Sequence, residues 1–251
     1  MSDAAALAVE GVSHAYAGRE VLRDVGFTLE AGRTLAVVGE SGAGKSTLSR
    51  LVAGLELPTS GRVRVAGVAP TVRYGAVSPV QMVFQHPTEA LNRFLSVGAS
   101  VAEGLRRLPR RERAAYVAAL LEQVGIDPSR ARERPKTFSG GQLQRIVTAR
   151  ALAAEPKLLL CDEPTSALDV SVQAQIVNLL LALQERNGFA CLLVTHDLGV
   201  ARVLADDVLV LRDGEMVELA PADDFFAGPS TPYAQELLRT TAEQMLVRER
   251  A

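Results

Sequence analysis

Three short segments of the sequence contain residue types that can bind and activate a phosphate ester. The first, Gly39-Glu40-Ser41-Gly42-Ala43-Gly44-Lys45-Ser46-Thr47, matches the spacing G-x-x-x-x-G-K-S/T. Its glycines allow a tight turn whose backbone N–H groups converge on phosphate oxygens, and the helix N-terminus that follows adds partial positive charge. In this pattern Lys45 reaches the β and γ phosphates of a nucleotide, and the Ser46 hydroxyl ligates Mg²⁺. We name residues 39–47 the phosphate loop and predict that its binding residues are Gly39, Ser41, Gly42, Ala43, Gly44, Lys45, Ser46 and Thr47.

The second segment is a pair of adjacent carboxylates, Asp162 and Glu163, which follows the apolar run 158–161. That run predicts a buried strand, and ligands usually bind at the carboxyl ends of parallel strands. Because neighbouring side chains on a strand point in opposite directions, we predict that Asp162 faces a Mg²⁺ ion while Glu163 polarises an attacking water. A solvated acidic pair at a strand end is the alternative.

The third segment is a Ser-Gly-Gly-Gln sequence that precedes apolar residues at helical spacing. It offers a second helix N-terminus with free N–H groups and a serine hydroxyl. Since one nucleotide needs only one such cradle, the second one predicts contact with a nucleotide held by another chain. A plain helix N-cap is the alternative, and the tetrapeptide alone does not decide between them. We name residues 139–142 the signature segment; its members are Ser139, Gly140, Gly141 and Gln142.

The elements that must position these segments follow from the spacing of apolar residues. Short alternating segments between residues 7 and 30 predict antiparallel strands, and residues 91–138 have a helical pattern. A continuous apolar strand at 34–38 precedes the phosphate loop, and a helix follows the loop. Further along, helices and strands alternate, which predicts a mostly parallel sheet. In chain order these elements are helix 141–153, strand 158–161, helix 170–186, strand 190–195, helix 198–204 and strand 208–211.

Composition excludes several classes of protein. The 27 Lys and Arg residues nearly balance 29 Asp and Glu, so no long-range field toward nucleic acid or anionic lipid is expected. No apolar stretch approaches the roughly 20 residues of a membrane-spanning helix, and the N-terminus does not resemble a secretory signal. We therefore expect a cytoplasmic protein. The spacing of Cys161 and Cys191 fits no metal site, and both cysteines are predicted to be small buried hydrophobes.

Taken in order, the phosphate loop, the signature segment, the strand before Asp162 and a histidine after the next strand resemble the ATP-binding subunits of ABC transporters. The resemblance implies an α/β fold, that of a P-loop NTPase of ABC type, with a mostly parallel core sheet, an N-terminal antiparallel β subdomain and a helical insert. It implies a single domain over residues 1–251, with the helical subdomain at about 88–155 and a C-terminal helix at 231–246. ATP and Mg²⁺ are the implied ligands.

The resemblance also implies roles for particular residues. Tyr16 would stack on adenine, Gln85 would bridge Mg²⁺, the attacking water and the permease-contacting subdomain, and Glu163 would be the general base. Asp169 would lie in the loop that links two nucleotide sites across a dimer, and His196 would contact the γ-phosphate. Simpler interpretations are core packing for Tyr16, a polar strand end for Gln85, a helix N-cap for Asp169 and a loop histidine for His196. The implied metal ligands are Ser46, Gln85 and Asp162.

A narrower resemblance connects the chain with the oligopeptide, dipeptide and nickel importers. It rests on segments 82–85, 91–92 and 144–146, on Phe138, and on segment 229–238 with its Pro232-Tyr233 pair. The chain departs from this branch at His86, Arg93, Thr231 and Ala234. The predicted function is ATP binding and hydrolysis that power an importer of peptides, nickel or a related small solute. The alternative is a soluble ABC ATPase that serves a non-transport complex.

The resemblance implies partners as well. One is a second ABC ATPase subunit, identical or related, which would form a head-to-tail dimer that holds two ATP molecules. The others are two integral membrane permease subunits and an extracytoplasmic solute-binding protein. Nucleic acid is not an expected partner. The implied location is peripheral, on the cytoplasmic side of the cell membrane. The arginine-rich run 106–113 has two interpretations, a solvated helix junction or a contact with an acidic permease loop or lipid head groups.

Overall fold

The computed structural model describes residues 5–70, 78–106, 108–166 and 168–248. Arg107 of the arginine-rich run therefore lies outside the described residues. The strands are β1 (Leu7–Tyr16), β2 (Arg19–Leu29), β3 (Thr34–Val38), β4 (Ser60–Val65), β5 (Val80–Val83), β6 (Leu158–Asp162), β7 (Ala190–Val194), β8 (Asp207–Arg212) and β9 (Glu215–Pro221). The helices are α1 (Lys45–Val52), α2 (Pro87–Ala90), α3 (Val97–Ala102), α4 (Arg110–Gln123), α5 (Gly140–Leu152), α6 (Val170–Asn187), α7 (Leu198–Leu204), α8 (Ala222–Ala227) and α9 (Pro232–Arg248).

The central sheet has the strand order β5-β6-β7-β3-β8-β9. All neighbouring pairs are parallel except β8 and β9, which form an antiparallel hairpin. Strands β3 and β7 are buried along their whole length, as expected for parallel strands that are covered on both faces. The predicted mostly parallel core sheet is therefore confirmed.

Alternate residues of the central strands supply two hydrophobic cores. Ala36 and Val38 of β3 belong to a core with residues of α3 to α9, whereas Leu35 and Val37 belong to a core with α1 and the antiparallel strands. This division follows from the alternation of side chains along a strand. Cys161 and Cys191 are free and buried in the first of these cores, as predicted.

A second sheet, of order β2-β1-β4, is antiparallel and covers one side of the core. This confirms the predicted N-terminal antiparallel β subdomain. Helices α2 to α5 lie between β5 and β6 in the chain, and these two strands are neighbours in the sheet. The helical insert is thus confirmed as part of the fold, while its bounds at 88–155 and the single domain over 1–251 stay predictions. Within the described residues, no helix combines the length and apolar character that a membrane crossing requires.

The register of the parallel strands brings their carboxyl ends to one edge. Val194 of β7 is aligned with Val37 of β3 on one side and with Asp162 of β6 on the other. Residues that directly follow these three strands therefore emerge side by side. Those residues are the phosphate loop after β3, Glu163 after β6 and His196 after β7.

Candidate functional site

The phosphate loop has a backbone that only glycine can adopt at two positions. A Cβ atom on Gly39, whose φ is +152°, would lie 2.2 Å from the carbonyl oxygen of Leu211. A Cβ atom on Gly44, whose φ is +105°, would lie 2.7 Å from a methyl carbon of Leu22. Gly44 is also the N-cap of α1, where no side chain makes a capping hydrogen bond. The first N–H groups of α1 are therefore not satisfied by a side-chain cap and can bind an anion.

Lys45, the first residue of α1, is buried beside the loop. Its ammonium donates hydrogen bonds to the carbonyl oxygens of Gly39, at 2.7 Å, and of Glu40, at 2.8 Å. Burial lowers the pKa of Lys45, and the nearby carboxylates of Glu163, Asp162 and Glu40 oppose this shift. The site thus holds a cation that is largely removed from bulk water, where its interaction with an anion is strengthened.

Asp162 and Glu163 leave β6 in a geometry that strand alternation does not predict. The strand ends at Asp162, and Glu163 has a left-handed backbone with a φ of +48°. The N–H of Glu163 donates to the carbonyl oxygen of Val194 at 2.8 Å. Burial and then the charge of Glu163 raise the pKa of Asp162, and Lys45 opposes that shift. Both residues line the same cavity.

His196 lies next to Glu163 at this edge. Its Nδ1 atom is 2.9 Å from Oε1 of Glu163. The glutamate side chain is largely buried, whereas the imidazole remains mostly exposed. Glu163 directly follows β6, and His196 lies two residues after the end of β7. Their contact therefore depends on the pairing of these two strands.

These side chains surround a cavity of about 800 Å³, a size that suits a small-molecule ligand. The residues predicted from the sequence that line it are Ser41, Gly42, Gly44, Lys45, Ser46, Thr47, Gln85, Asp162, Glu163 and His196. The lining residues that sequence reasoning missed are Val21, Phe84, His86, Glu89, Ala90 and Val194. Phe84 and His86 could have been found as the sequence neighbours of Gln85. Val21 comes from β2, and no local signal points to it.

Tyr16 is not among the lining residues of the cavity. Its hydroxyl donates a hydrogen bond to the carboxylate of Glu56, and its ring packs edge-on against His14 with centroids 4.7 Å apart. The imidazole of His14 is itself 3.3 Å from the same carboxylate. Tyr16 is therefore held by polar and aromatic contacts at the end of β1, and the simple core packing considered for it does not describe a ring that is 39% exposed.

The signature segment and Asp169 also lie outside the cavity lining. Ser139 and Gln142 form a reciprocal capping box, in which the N–H of Gln142 donates to Ser139 Oγ at 3.4 Å and the N–H of Ser139 donates to Gln142 Oε1 at 3.1 Å. Asp169 caps α6 by accepting the N–H of Val172 at 2.9 Å, and this bond lowers the pKa of Asp169. The two caps lie next to each other. A Cβ atom on Gly141 of α5 would lie 2.5 Å from Cγ1 of Val172 on α6.

The chemistry of the cavity fits a magnesium nucleotide. Open N–H groups at the start of α1 and the ammonium of Lys45 are suited to phosphate oxygens. Ser46, Gln85 and Asp162 place oxygen donors in the same cavity, and oxygen is the donor that Mg²⁺ prefers. The donor set therefore agrees with ATP and Mg²⁺ as the ligands of the site.

Comparisons with known proteins agree with this chemistry. Residues 22–166 match the family described as ABC transporter. The di/tripeptide transport ATP-binding protein DppF of Pseudomonas aeruginosa is 45% identical over 239 residues, which cover 92% of this chain and 74% of that protein. The structure of cbiO1 from Clostridium perfringens, part of the ABC transporter complex cbiONQ, has a TM-score of 0.80 at 28% identity and covers 89% of this chain and 91% of that one. The ATP-binding cassette MJ0796, a dimer bound to ADP and Pi, has a TM-score of 0.75 at 28% identity and covers 86% of this chain and 98% of that one.

Proposed function

This chain belongs to the ABC transporter family, and from that membership we propose that it hydrolyses Mg²⁺-ATP in the cavity at the edge of its central sheet to power the import of peptides. It is an ATPase of that family and an ATP-binding subunit of a multi-subunit importer that contains permeases. The observation that carries the site assignment is the convergence of Lys45, Ser46, Asp162, Glu163 and His196 on one cavity. Peptide as the solute is supported by the di/tripeptide relative, with nickel or a related small solute as the other candidates.

The phosphate loop is proposed to hold the triphosphate. The uncapped N–H groups at the start of α1 would bind phosphate oxygens, and Lys45 would neutralise the β and γ phosphates. Ser46, Gln85 and Asp162 would hold Mg²⁺, which when bound adds positive charge that stabilises the transferring phosphoryl group. The shape of the loop backbone is the proposed contribution of Gly39, Ala43 and the remaining loop residues. The Tyr16 ring is proposed to stack on the adenine.

Glu163 and His196 are proposed as the groups that act on the attacking water. Oε1 of Glu163 would accept the proton of the water, since the carboxylate lines the cavity beside Lys45. Nδ1 of His196, 2.9 Å from that oxygen, restricts the orientation of the carboxylate, and its exposed ring can reach toward the γ-phosphate. Phosphoryl transfer requires little covalent chemistry from a protein, so most of the acceleration would come from positioning and charge neutralisation.

The separate location of the signature segment supports a dimer in which two chains complete each site. Ser139 and Gly140 are exposed and lie outside the lining of the cavity on their own chain. We propose that this helix N-terminus, together with Asp169 of the neighbouring cap, faces a nucleotide held by a second ABC ATPase subunit, identical or related. The proposed complex further contains two permease subunits and an extracytoplasmic solute-binding protein. Its ATPase subunits would lie peripherally on the cytoplasmic side of the membrane.

The proposed chemistry is tested by Glu163→Gln. This change keeps the shape of the side chain but removes the proton acceptor, so turnover should fall by roughly 100-fold or more while ATP binding is retained. A matched control is Glu122→Gln, which changes an exposed glutamate of α4 away from the cavity lining and should leave turnover near the wild-type value. Wild-type turnover in Glu163→Gln would refute the assignment of the general base.

The transport assignment needs a separate measurement. The subunit should copurify with integral membrane proteins from detergent-solubilised membranes, and peptide with a solute-binding protein should stimulate its ATPase activity. Recovery only with soluble enzymes or ribosomes would favour the alternative, a soluble ABC ATPase that serves a non-transport complex.

A further inference from the structure

The C-terminal helix α9 contacts the outer side of the phosphate loop through Tyr233. The N–H of Glu40 donates a hydrogen bond to the Tyr233 hydroxyl at 3.4 Å. The guanidinium of Arg212 lies 4.6 Å from the centroid of the tyrosine ring, a stacking distance for a cation on an aromatic face. Burial raises the pKa of the Tyr233 hydroxyl above its ordinary value.

The peptide unit that Tyr233 contacts joins Gly39 to Glu40, and its carbonyl oxygen, that of Gly39, accepts a hydrogen bond from the Lys45 ammonium at 2.7 Å. The carbonyl oxygen of Glu40 accepts a hydrogen bond from the ammonium of Lys45 at 2.8 Å. Glu40 thus lies between a tyrosine outside the cavity and the lysine inside it. A displacement of Glu40 would move both carbonyl oxygens that orient the Lys45 ammonium, because Gly39 is its direct neighbour.

The start of α9 is firmly attached to the central sheet. The carboxylate of Glu218 on β9 accepts hydrogen bonds from the N–H of Ser230 at 2.7 Å, the N–H of Thr231 at 2.9 Å and the hydroxyl of Thr231 at 2.6 Å. Burial alone would raise the pKa of Glu218, but the bonds from Thr231 and Ser230 outweigh it and the pKa is lowered. Ala234, in the first turn, is completely buried. Tyr233 is therefore presented from a well-anchored helix end.

The hairpin between β8 and β9 encloses the same side of the loop. The N–H of Gly214 donates to the carbonyl oxygen of Ala43 at 3.1 Å. The carbonyl oxygen of Leu211 occupies the position that a side chain on Gly39 would need. The outer side of the phosphate loop is thus supported by the hairpin and α9, two elements that come more than 160 residues later in the chain.

From these contacts we propose that Tyr233 is a positioning residue for the phosphate loop, holding Glu40 so that Lys45 is directed at the phosphates. The inference rests on the proposed function of the cavity. Because Tyr233 acts on the loop and not on the base, its effect should be the same for ATP and for GTP. It should also affect nucleotide affinity more than the rate of the chemical step.

The test compares Tyr233→Phe, which keeps the ring over Arg212, with Tyr233→Leu, which removes both contacts. Given the usual net value of a hydrogen bond, we expect the KM for ATP to rise about 3-fold in Tyr233→Phe and about 10-fold in Tyr233→Leu, with less than about a 2-fold change in kcat. Thr231→Val, which weakens the attachment to Glu218, should raise KM in the same direction. Tyr116→Phe, a change on the exposed side of α4, is the matched control and should match the wild type.

A purely structural role would reduce the fraction of active protein, so kcat would fall while KM stayed constant. That result, or kinetic constants equal to the wild type in Tyr233→Leu, would overturn the proposal. An effect confined to ATP and absent with GTP would also overturn it, since it would indicate base recognition. If the wild-type subunit hydrolyses no nucleotide, the proposed function fails instead, and the Kd of a fluorescent ATP analogue then tests Tyr233 independently.

Discussion

The phosphate loop and the signature segment both place a helix N-terminus after small polar and glycine residues, but the two N-termini differ in how their N–H groups are used. At α1 the N-cap is Gly44, which has no side chain to offer, and the first turn opens onto the cavity. At α5 the N-cap is Ser139, whose hydroxyl and Gln142 satisfy each other's backbone groups. The first turn of α1 therefore has no side-chain cap, whereas at α5 the N–H groups of Ser139 and Gln142 are already bonded within the signature segment.

The side chains around the N-termini of α1 and α5 differ as well. Lys45, the first residue of α1, is buried near the carboxylates of Glu163, Asp162 and Glu40. The segment before Ser139 is instead held by contacts within the helical subdomain. The guanidinium of Arg130 lies 4.0 Å from the centroid of the Phe138 ring and donates two hydrogen bonds of 2.9 Å to the carboxylate of Glu133. One helix end thus carries a buried cation at the cavity, and the other is exposed on the surface.

The largest expected effect is that of Lys45→Met on the α1 side of the comparison. Loss of the charge-assisted contacts to phosphate should cost about 3 kcal/mol of binding free energy, roughly a hundredfold in the Kd for ATP of the isolated subunit. Titration with a fluorescent ATP analogue measures this change. The matched control is Lys136→Met, an exposed lysine just before the signature segment, which should not alter the Kd. An unchanged Kd in Lys45→Met would remove the basis for treating α1 as the phosphate site.

Two glycine substitutions compare the backbones directly. Gly39→Ala should destabilise the fold by about 1 to 3 kcal/mol and impair nucleotide binding, because its new methyl group would meet the Leu211 carbonyl oxygen. Gly140→Ala should stay within about 0.5 kcal/mol of wild type, since the nearest atom to its methyl group, on Leu168, is 3.7 Å away. Urea denaturation of both variants measures the change in the free energy of unfolding that each substitution causes. Equal stability of the two would mean that the phosphate loop is not sterically constrained as described.

Ser139→Ala examines the cap of α5. Removal of the hydroxyl should lower the free energy of unfolding by about 1 kcal/mol, the usual value of a serine N-cap. The Kd for ATP of the isolated subunit should be unchanged, because Ser139 does not line the cavity of its own chain. A rise in Kd comparable to that of Lys45→Met would erase the distinction between the two helix ends.

The smallest effect concerns the support of the signature segment at low pH. Hydrogen bonds from Arg130 and then Thr137 lower the pKa of Glu133 from its ordinary value of 4.5 to about 2. Because the folded pKa is the lower one, the stabilisation is complete above pH 4.5 and is lost as the pH falls toward 2. Glu133→Gln should therefore flatten the pH dependence of the free energy of unfolding in that range, whereas Glu122→Gln on α4 should not. Urea unfolding at a series of pH values tests this, and parallel curves for wild type and Glu133→Gln would contradict it.

Local patterns in the sequence were enough to predict the strand before the phosphate loop, the carboxylates at the carboxyl end of β6 and the mostly parallel sheet. They did not predict that Glu163 leaves the strand with a left-handed backbone, because that turn depends on its bond to Val194 of the neighbouring strand. The departures at Thr231 and Ala234 also became interpretable only in the structure. Thr231 donates a hydrogen bond to Glu218, and Ala234 is completely buried.

The sequence by itself determined the family, the fold class and the chemistry of the phosphate loop, since these depend on residue types at short fixed spacings. Only the tertiary structure decided which distant residues join the site. Val21 of β2 lines the cavity and Tyr233 of α9 contacts Glu40, although no sequence pattern predicts either contact. Such contacts follow from the alignment of strand ends and the packing of helices on the sheet, which are properties of the folded chain and not of any short segment.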